Sequence, residues 1–267
     1  MTKQLAILAG QGELPQILAA NNPDALFVTF EGGEVSVPAG SRHLAASFET
    51  MGALFNGLHD AGIKDLVFAG AMTRPNLNPA KFDAKMSTLA PRLMEIMGQG
   101  DDALLRAVAD IFETEGFTVK AAHAIQPDLL LEQGSHFGPQ PSSLDQIDQA
   151  KAMDVLAALA PLDISQSVVV AGGQVLGIET IQGTDAMLGY VATTPAKLLR
   201  KKGVMLKGPK KGQDMRFDVP TIGVATVQAA AAAGLAGIYV LSGWVNVLHR
   251  AEVEQAINET GLFLRAL

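Results

Sequence analysis

The sequence predicts an α/β protein, with an N-terminal Rossmann-like parallel-sheet domain and a C-terminal mixed α+β domain. Two observations carry the first half of that statement. Four short, continuous apolar runs recur within residues 4–123, and helically periodic segments separate them. Strands buried on both faces read as unbroken apolar runs, and their alternation with helices implies a parallel sheet. The second half contains a hairpin pattern, SVVVAGGQVLGIE at residues 167–179, which turns at Gly172-Gly173.

The elements follow in order. Residues 4–10 (QLAILAG), 25–30 (ALFVTF), 65–70 (DLVFAG) and 117–123 (FTVKAAH) are the predicted strands, with helical patterns over 14–21, 50–61, 84–97 and 101–115. Residues 134–143, GSHFGPQPSS, lack periodicity and are rich in Gly, Pro and Ser. They mark a linker that divides the chain into domains 1–133 and 144–267. Beyond the hairpin come a helix from about Thr184, a strand VMLKGP, a cationic loop, a helix and a strand pair over 238–248. A closing helix and a terminal strand finish the chain.

Composition narrows the function. At 267 residues, 48% apolar and 18% charged, the chain is long enough for two modest cores. The mean hydropathy is +0.23, yet no apolar run approaches the roughly 20 residues of a membrane-spanning helix. The N-terminal run reads as a buried strand rather than a signal peptide, so a cytoplasmic protein is expected. With no cysteine, disulfides, thiolate metal sites and a cysteine nucleophile are excluded. A net charge of −7 argues against nucleic-acid binding. Against it stand Arg200, Lys201, Lys202, Lys207, Lys210, Lys211 and Arg216. They read either as a solvated cluster or as a local anion site suited to phosphate.

Each candidate site has a plain structural alternative. GQGELP places Gly10 and Gly12 between the first strand and a helix start, with Glu31 after the second strand in the position of a ribose-binding acid. Pro15 interrupts the fingerprint, and a tight turn explains the same glycines. AMTRPNL puts Thr73 and Arg74 at the carboxyl end of a strand, where Arg74 is suited to clamp a phosphate. Asp101 and Asp102 precede a helix and serve either as helix-terminal acids or as metal ligands. Glu179, Thr184 and Asp185 converge at another helix start, as at phosphate or magnesium sites and equally as at caps. His43, His59, His123, His136 and His249 lack metal-ligand spacing.

Taken in order, LAGQGELP, AMTRPNL, GDDALLRAVADIFETEGF, LDISQSVVV, QGTDAML, LKGPKKGQDMRFDVPTIG and AAAAGLAGI resemble the LpxI-type UDP-2,3-diacylglucosamine pyrophosphatases. The resemblance spans essentially the whole chain. It implies magnesium-dependent hydrolysis of UDP-2,3-diacylglucosamine to UMP and 2,3-diacylglucosamine 1-phosphate in lipid A synthesis, with water attacking the β-phosphorus. It also implies two domains with ligand between them and a homodimer; because the substrate is lipidic and the sequence offers no anchoring helix, any contact with the inner face of the inner membrane is expected to be peripheral. Cations and carboxylates suit that chemistry. Lys207, Asp214 and Asp218 are the candidate catalytic groups. Gly10, Gly12, Thr73, Arg74, Gln166, Thr184, Lys210, Gln213, Arg216 and Thr221 are the candidate substrate contacts, and Asp101, Asp102 and Asp185 the candidate magnesium ligands. The apolar C-terminal half is the expected home of the acyl chains.

The family pattern has an aspartate two residues after the PTIG glycine. Here Ala225 stands in that place. Losing such a carboxylate removes a metal ligand or a water-orienting base, so this chain is expected to retain substrate and turn it over poorly, as an engineered trap or a natural degenerate form. Two rivals remain on the residues alone: a non-enzymatic nucleotide- or lipid-binding protein, and an NAD-dependent oxidoreductase.

Overall fold

The computed structural model describes residues 2–72, 75–97, 101–210, 213–217 and 219–267. The chain forms two compact units, Met1–Pro127 with Asp214–Phe217, and Asp128–Gln213 with Asp218–Leu267.

The first unit contains β1 (Leu5–Ala9), α1 (Leu14–Asn21), β2 (Leu26–Phe30), β3 (Arg42–Ala46), α2 (Met51–Asp60), β4 (Asp65–Ala69), α3 (Ala84–Met97), α4 (Asp101–Thr114), β5 (Thr118–Lys120) and α5 (Ala122–Ile125). Its sheet runs in the order β3-β2-β1-β4-β5, and every pairing is parallel. The central strand β1 is buried from end to end and its neighbours β2 and β4 are mostly buried, which is why they read as apolar runs. On α2, Met51, Leu54, Phe55 and Leu58 are buried at helical spacing. Phe55 meets Phe112 of α4 edge to face at 5.3 Å. The predicted fourth strand is shorter than its apolar run, because His123 belongs to α5.

The second unit contains β6 (His136–Phe137), α6 (Ser143–Leu159), β7 (Ser167–Ala171), β8 (Gln174–Ile178), α7 (Gly183–Ala192), β9 (Val204–Lys207), β10 (Thr221–Ile222), α8 (Val224–Ala232), β11 (Gly237–Val240), β12 (Asn246–Val247), α9 (Arg250–Thr260) and β13 (Phe263–Ala266). The main sheet has the order β6-β13-β11-β9-β7-β8. Its centre is parallel and its flanks antiparallel. Alternate residues supply two cores: Val169, Met205, Ile238 and Leu264 pack with α7, α8 and α9, while Val168, Leu206, Tyr239 and Phe263 pack with α6.

The hairpin turns at Gly172-Gly173 as the sequence predicts. Residues 134–143 are not a tether: β6 within them pairs antiparallel with β13. The strands near 238–248 also differ from the expected pair, since β11 joins the main sheet and β12 pairs with β10.

Candidate functional site

The second unit gathers polar groups at the carboxyl end of β9. Lys207, the last residue of that strand, is 3% exposed. Its ammonium donates to Thr184 Oγ1 and lies 3.5 Å from Glu179 Oε2. Thr184 in turn donates to Glu179 Oε1 at 2.8 Å. The positions follow from the fold. Ser167 of β7 is in register with Lys207, the Glu179 amide donates to Ser167 O at 2.9 Å, and Thr184 sits in the first turn of α7. Glu179 Oε2 and Ser167 Oγ are buried and take no hydrogen bond among the described residues. Glu179 Oε2 faces the Lys207 ammonium as an ion pair, so of the two it is Ser167 Oγ that calls for a partner such as a ligand or water.

The loop after β9 adds to this cluster. Gly208 N donates to Gln166 O at 2.9 Å, and Gln166 Nε2 donates to Gln213 Oε1 at 3.2 Å. Lys210 N donates to Gln213 Oε1 at 3.0 Å, while the Lys210 ammonium lies 3.1 Å from Asp163. An apolar groove of about 460 Å³ lies alongside, lined by Val175 to Ile178 of β8 and by Ala186, Met187 and Tyr190 of α7, with Thr180 and Gln182 at its margin. Glu179 of the charged cluster stands in the chain between the groove residues Ile178 and Thr180.

Helix α8 starts on the same side of the sheet. β9 and β11 are parallel, so the helix connecting them runs back from the carboxyl end of β9. Gly223 precedes it and Ala225 is an exposed residue of its first turn. That turn has no acidic residue and no side-chain cap. Thr221, just upstream, donates to Val219 O at 2.9 Å.

The first unit has its own crevice of about 320 Å³ at the carboxyl ends of β1, β2 and β3, with Gln11, Glu31, Phe48, Glu49 and Asn76 among its walls. Phe48 stacks on Phe30 with ring centroids 4.3 Å apart. Glu49 accepts from Asn78 N at 3.0 Å and from Ser47 Oγ at 2.8 Å. These bonds hold its carboxyl below the ordinary range, the backbone bond from Asn78 contributing most. Sequence reading found Glu31 and the AMTRPNL motif that holds Asn76, but missed Phe48 and Glu49, because β3 just before them gave no strand signal.

The loops beside this crevice explain its glycines. Gly10 N donates to Ala69 O, and Gln11 and Ala71 exchange backbone bonds at 2.7 and 2.9 Å. A Cβ on Gly10 would fall 2.5 Å from Ala71 O. Gly12 has φ +103°, a region that favours glycine. The amides of Gly10 and Gln11 are therefore engaged with the chain itself, unlike a dinucleotide fingerprint whose loop faces the pyrophosphate.

Other predicted residues are placed differently. The Arg216 fork takes Asp214 through Nε and Nη2, the latter at 2.7 Å, and Nη1 reaches Glu113 at 2.7 Å. Asp214 is held below its ordinary range, chiefly by its bonds from Arg216. Both belong to the first unit, whereas Lys207 and Lys210 belong to the second. The cationic run is also divided. Lys201 is spent on Asp145 at 2.8 Å and Asp148 at 3.2 Å, and Arg200 packs on Gly172, at the opposite end of β9 from Lys207. A single phosphate grip by all seven cations does not form. Asp185 is exposed in the first turn of α7. Thr73, Arg74, Lys211, Asp218 and the side chains of Asp101 and Asp102 lie outside the described residues.

Comparison with known proteins covers both units. Models of the LpxI N-terminal domain and the LpxI C-terminal domain match residues 4–129 and 132–265. A relative from Caulobacter vibrioides, UDP-2,3-diacylglucosamine pyrophosphatase LpxI, is 38% identical over 272 residues, which cover 98% of this chain and 96% of the relative.

Proposed function

Because the chain belongs to the LpxI family over nearly its whole length, we propose that it hydrolyses UDP-2,3-diacylglucosamine to UMP and 2,3-diacylglucosamine 1-phosphate in lipid A biosynthesis. One observation supports this reading on the chain itself: the second unit carries both a buried ammonium and an apolar groove, and Glu179, which pairs with the ammonium, stands in the chain between the groove residues Ile178 and Thr180. A diphosphate needs fixed positive charge, and acyl chains need a surface that excludes water. Lys207 is held by Glu179 and Thr184 at the strand end where open α/β sheets bind ligands. In this reading Lys207 neutralises the diphosphate, Lys210 and Gln213 border it, and an acyl chain lies between β8 and α7. Water bonds to the β-phosphorus, the anhydride P–O bond breaks, and UMP departs.

Magnesium belongs to the same proposal, where it would neutralise charge and acidify a bound water. Among the described residues, no three His, Asp or Glu side chains gather into a metal site. An ion held by one or two carboxylates together with the diphosphate needs no such cluster, and no described residue is assigned to it.

The proposal includes slow turnover. The first turn of α8 has no acid at Ala225, at a helix end whose amides favour a carboxylate or a phosphate. UMP release by the chain with Ala225 and by Ala225→Asp tests both parts. The substitution is expected to raise the rate by about 10²-fold or more. Equal rates overturn the impairment, and no UMP from either protein overturns the pyrophosphatase. The same assay with EDTA, then with magnesium restored, tests the metal. A second reading, ligand retention without turnover, is favoured by the same alanine. Mass spectrometry of the co-purified ligand separates the two: intact UDP-2,3-diacylglucosamine supports retention, and the diacyl phosphate supports turnover.

A further inference from the structure

The segment 197–202, KLLRKK, holds four cations in six residues of a chain whose net charge is −7. The structure divides these residues sharply. Lys201 points into the protein, paired with Asp145 and Asp148 of α6. Asp148 also accepts from Gly172 N and Gly173 N, and Arg200 packs against Gly172. The segment is thus clamped between α6 and the hairpin turn. Its remaining members face water: Lys197, Arg200 and Lys202 are exposed, and Leu198 and Leu199 are 56% and 39% exposed.

We infer that this clamped, basic and leucine-bearing segment docks the second unit on an anionic lipid bilayer. Leucines displayed outward beside three cations leave apolar surface in water. An interface of anionic headgroups over acyl chains satisfies both kinds of side chain at once. Neither signal suffices alone: a short apolar insertion binds marginally, and a few cations are screened within about 10 Å at 0.1 M salt. Together they give reversible binding, suited to a protein that collects a lipid and returns one. A second copy of the chain is a poorer occupant. A two-fold interface centred on this segment would bring its three cations close to their own images, and like charges repel. The groove opens by the same turn, since Val175 lies in β8 just beyond Gly172-Gly173. The proposal rests on the pyrophosphatase reading in one respect only, that the groove receives an acyl chain from the surface the segment touches.

The test is flotation of the full chain, without substrate, on vesicles of equal parts phosphatidylethanolamine and phosphatidylglycerol, with pure phosphatidylcholine as comparison. Binding is expected on the anionic vesicles and not on the neutral ones, and it should fall with added salt. Lys197→Gln/Lys202→Gln should weaken it roughly five-fold per charge removed, and Leu198→Ser/Leu199→Ser should abolish it. Arg200 is left in place because it also packs on Gly172. All these side chains are exposed, so an unchanged melting temperature is expected and confirms folding. Hydrolysis of detergent-dispersed substrate should be the same in every variant, which separates this proposal from the pyrophosphatase itself. No flotation, flotation equal on neutral vesicles, or flotation indifferent to both variants would overturn it. So would crosslinking of Leu198 and Leu199 to a second copy in solution.

Discussion

At the scale of single residues, the most telling group is the Lys207 ammonium. It is buried beside one carboxylate and one hydroxyl, and removing either charge strands the other. Lys207→Met should destabilise the protein by about 3–5 kcal/mol, because Glu179 is then buried without its cation. Adding Glu179→Leu should recover most of that loss in chemical denaturation, while UMP release stays absent in both proteins. Recovery of activity with stability would show that Lys207 acts only on the fold. The sequence revealed Lys207 as part of a charge run, but not that it differs in kind from Arg200 and Lys202. Burial decides that, and burial at residue 207 depends on β7 and α7 arriving from elsewhere. Arg216 and Asp214 illustrate the same limit: two residues apart, they look like separate site groups, yet they hold one another.

At the scale of elements, the strands were legible where both faces are buried and obscure elsewhere. β1, β2 and β4 announce themselves as apolar runs, whereas edge strand β3 is mostly exposed and does not. Helix α6 was hidden for a different reason. Its buried residues include Asp145, Asp148 and Ala152, while Leu144 and Ile147 are exposed, so polarity runs against the usual amphipathic pattern. The available signal was its capping box, in which Ser142 accepts from Asp145 N and Asp145 accepts from Ser142 N. Asp148 repays that inversion by fixing the hairpin turn at 2.8 and 2.7 Å. Asp148→Ala should therefore cost about 3 kcal/mol, read as a lower urea midpoint at constant slope. A loss within a few tenths of a kcal/mol would mean that the turn holds itself, as a surface position would.

At the scale of the whole molecule, the sequence conveyed two halves of different architecture but placed their division in a strand. It also could not show that four residues of the later half, Asp214–Phe217, count with the first unit. Phe217 packs on Phe68 with centroids 5.2 Å apart, and Arg216 reaches Glu113. No local pattern announces such a return, since its partners lie more than a hundred positions upstream. Phe217→Ala in the full chain should lower stability by about 2 kcal/mol, less than the ~3–5 of a fully buried phenylalanine, because the ring is only half-buried. A first unit expressed only to Pro127 should melt below its counterpart in the intact protein, and a peptide spanning 213–218 should restore part of the difference.

That short return also constrains inheritance. Recombination between relatives that exchanged everything after Pro127 would replace Phe217 along with the rest, handing the recipient's Phe68 and Glu113 a foreign tetrapeptide. Chimeras should therefore tolerate a late crossover only when Asp214–Phe217 and its upstream partners descend from the same parent.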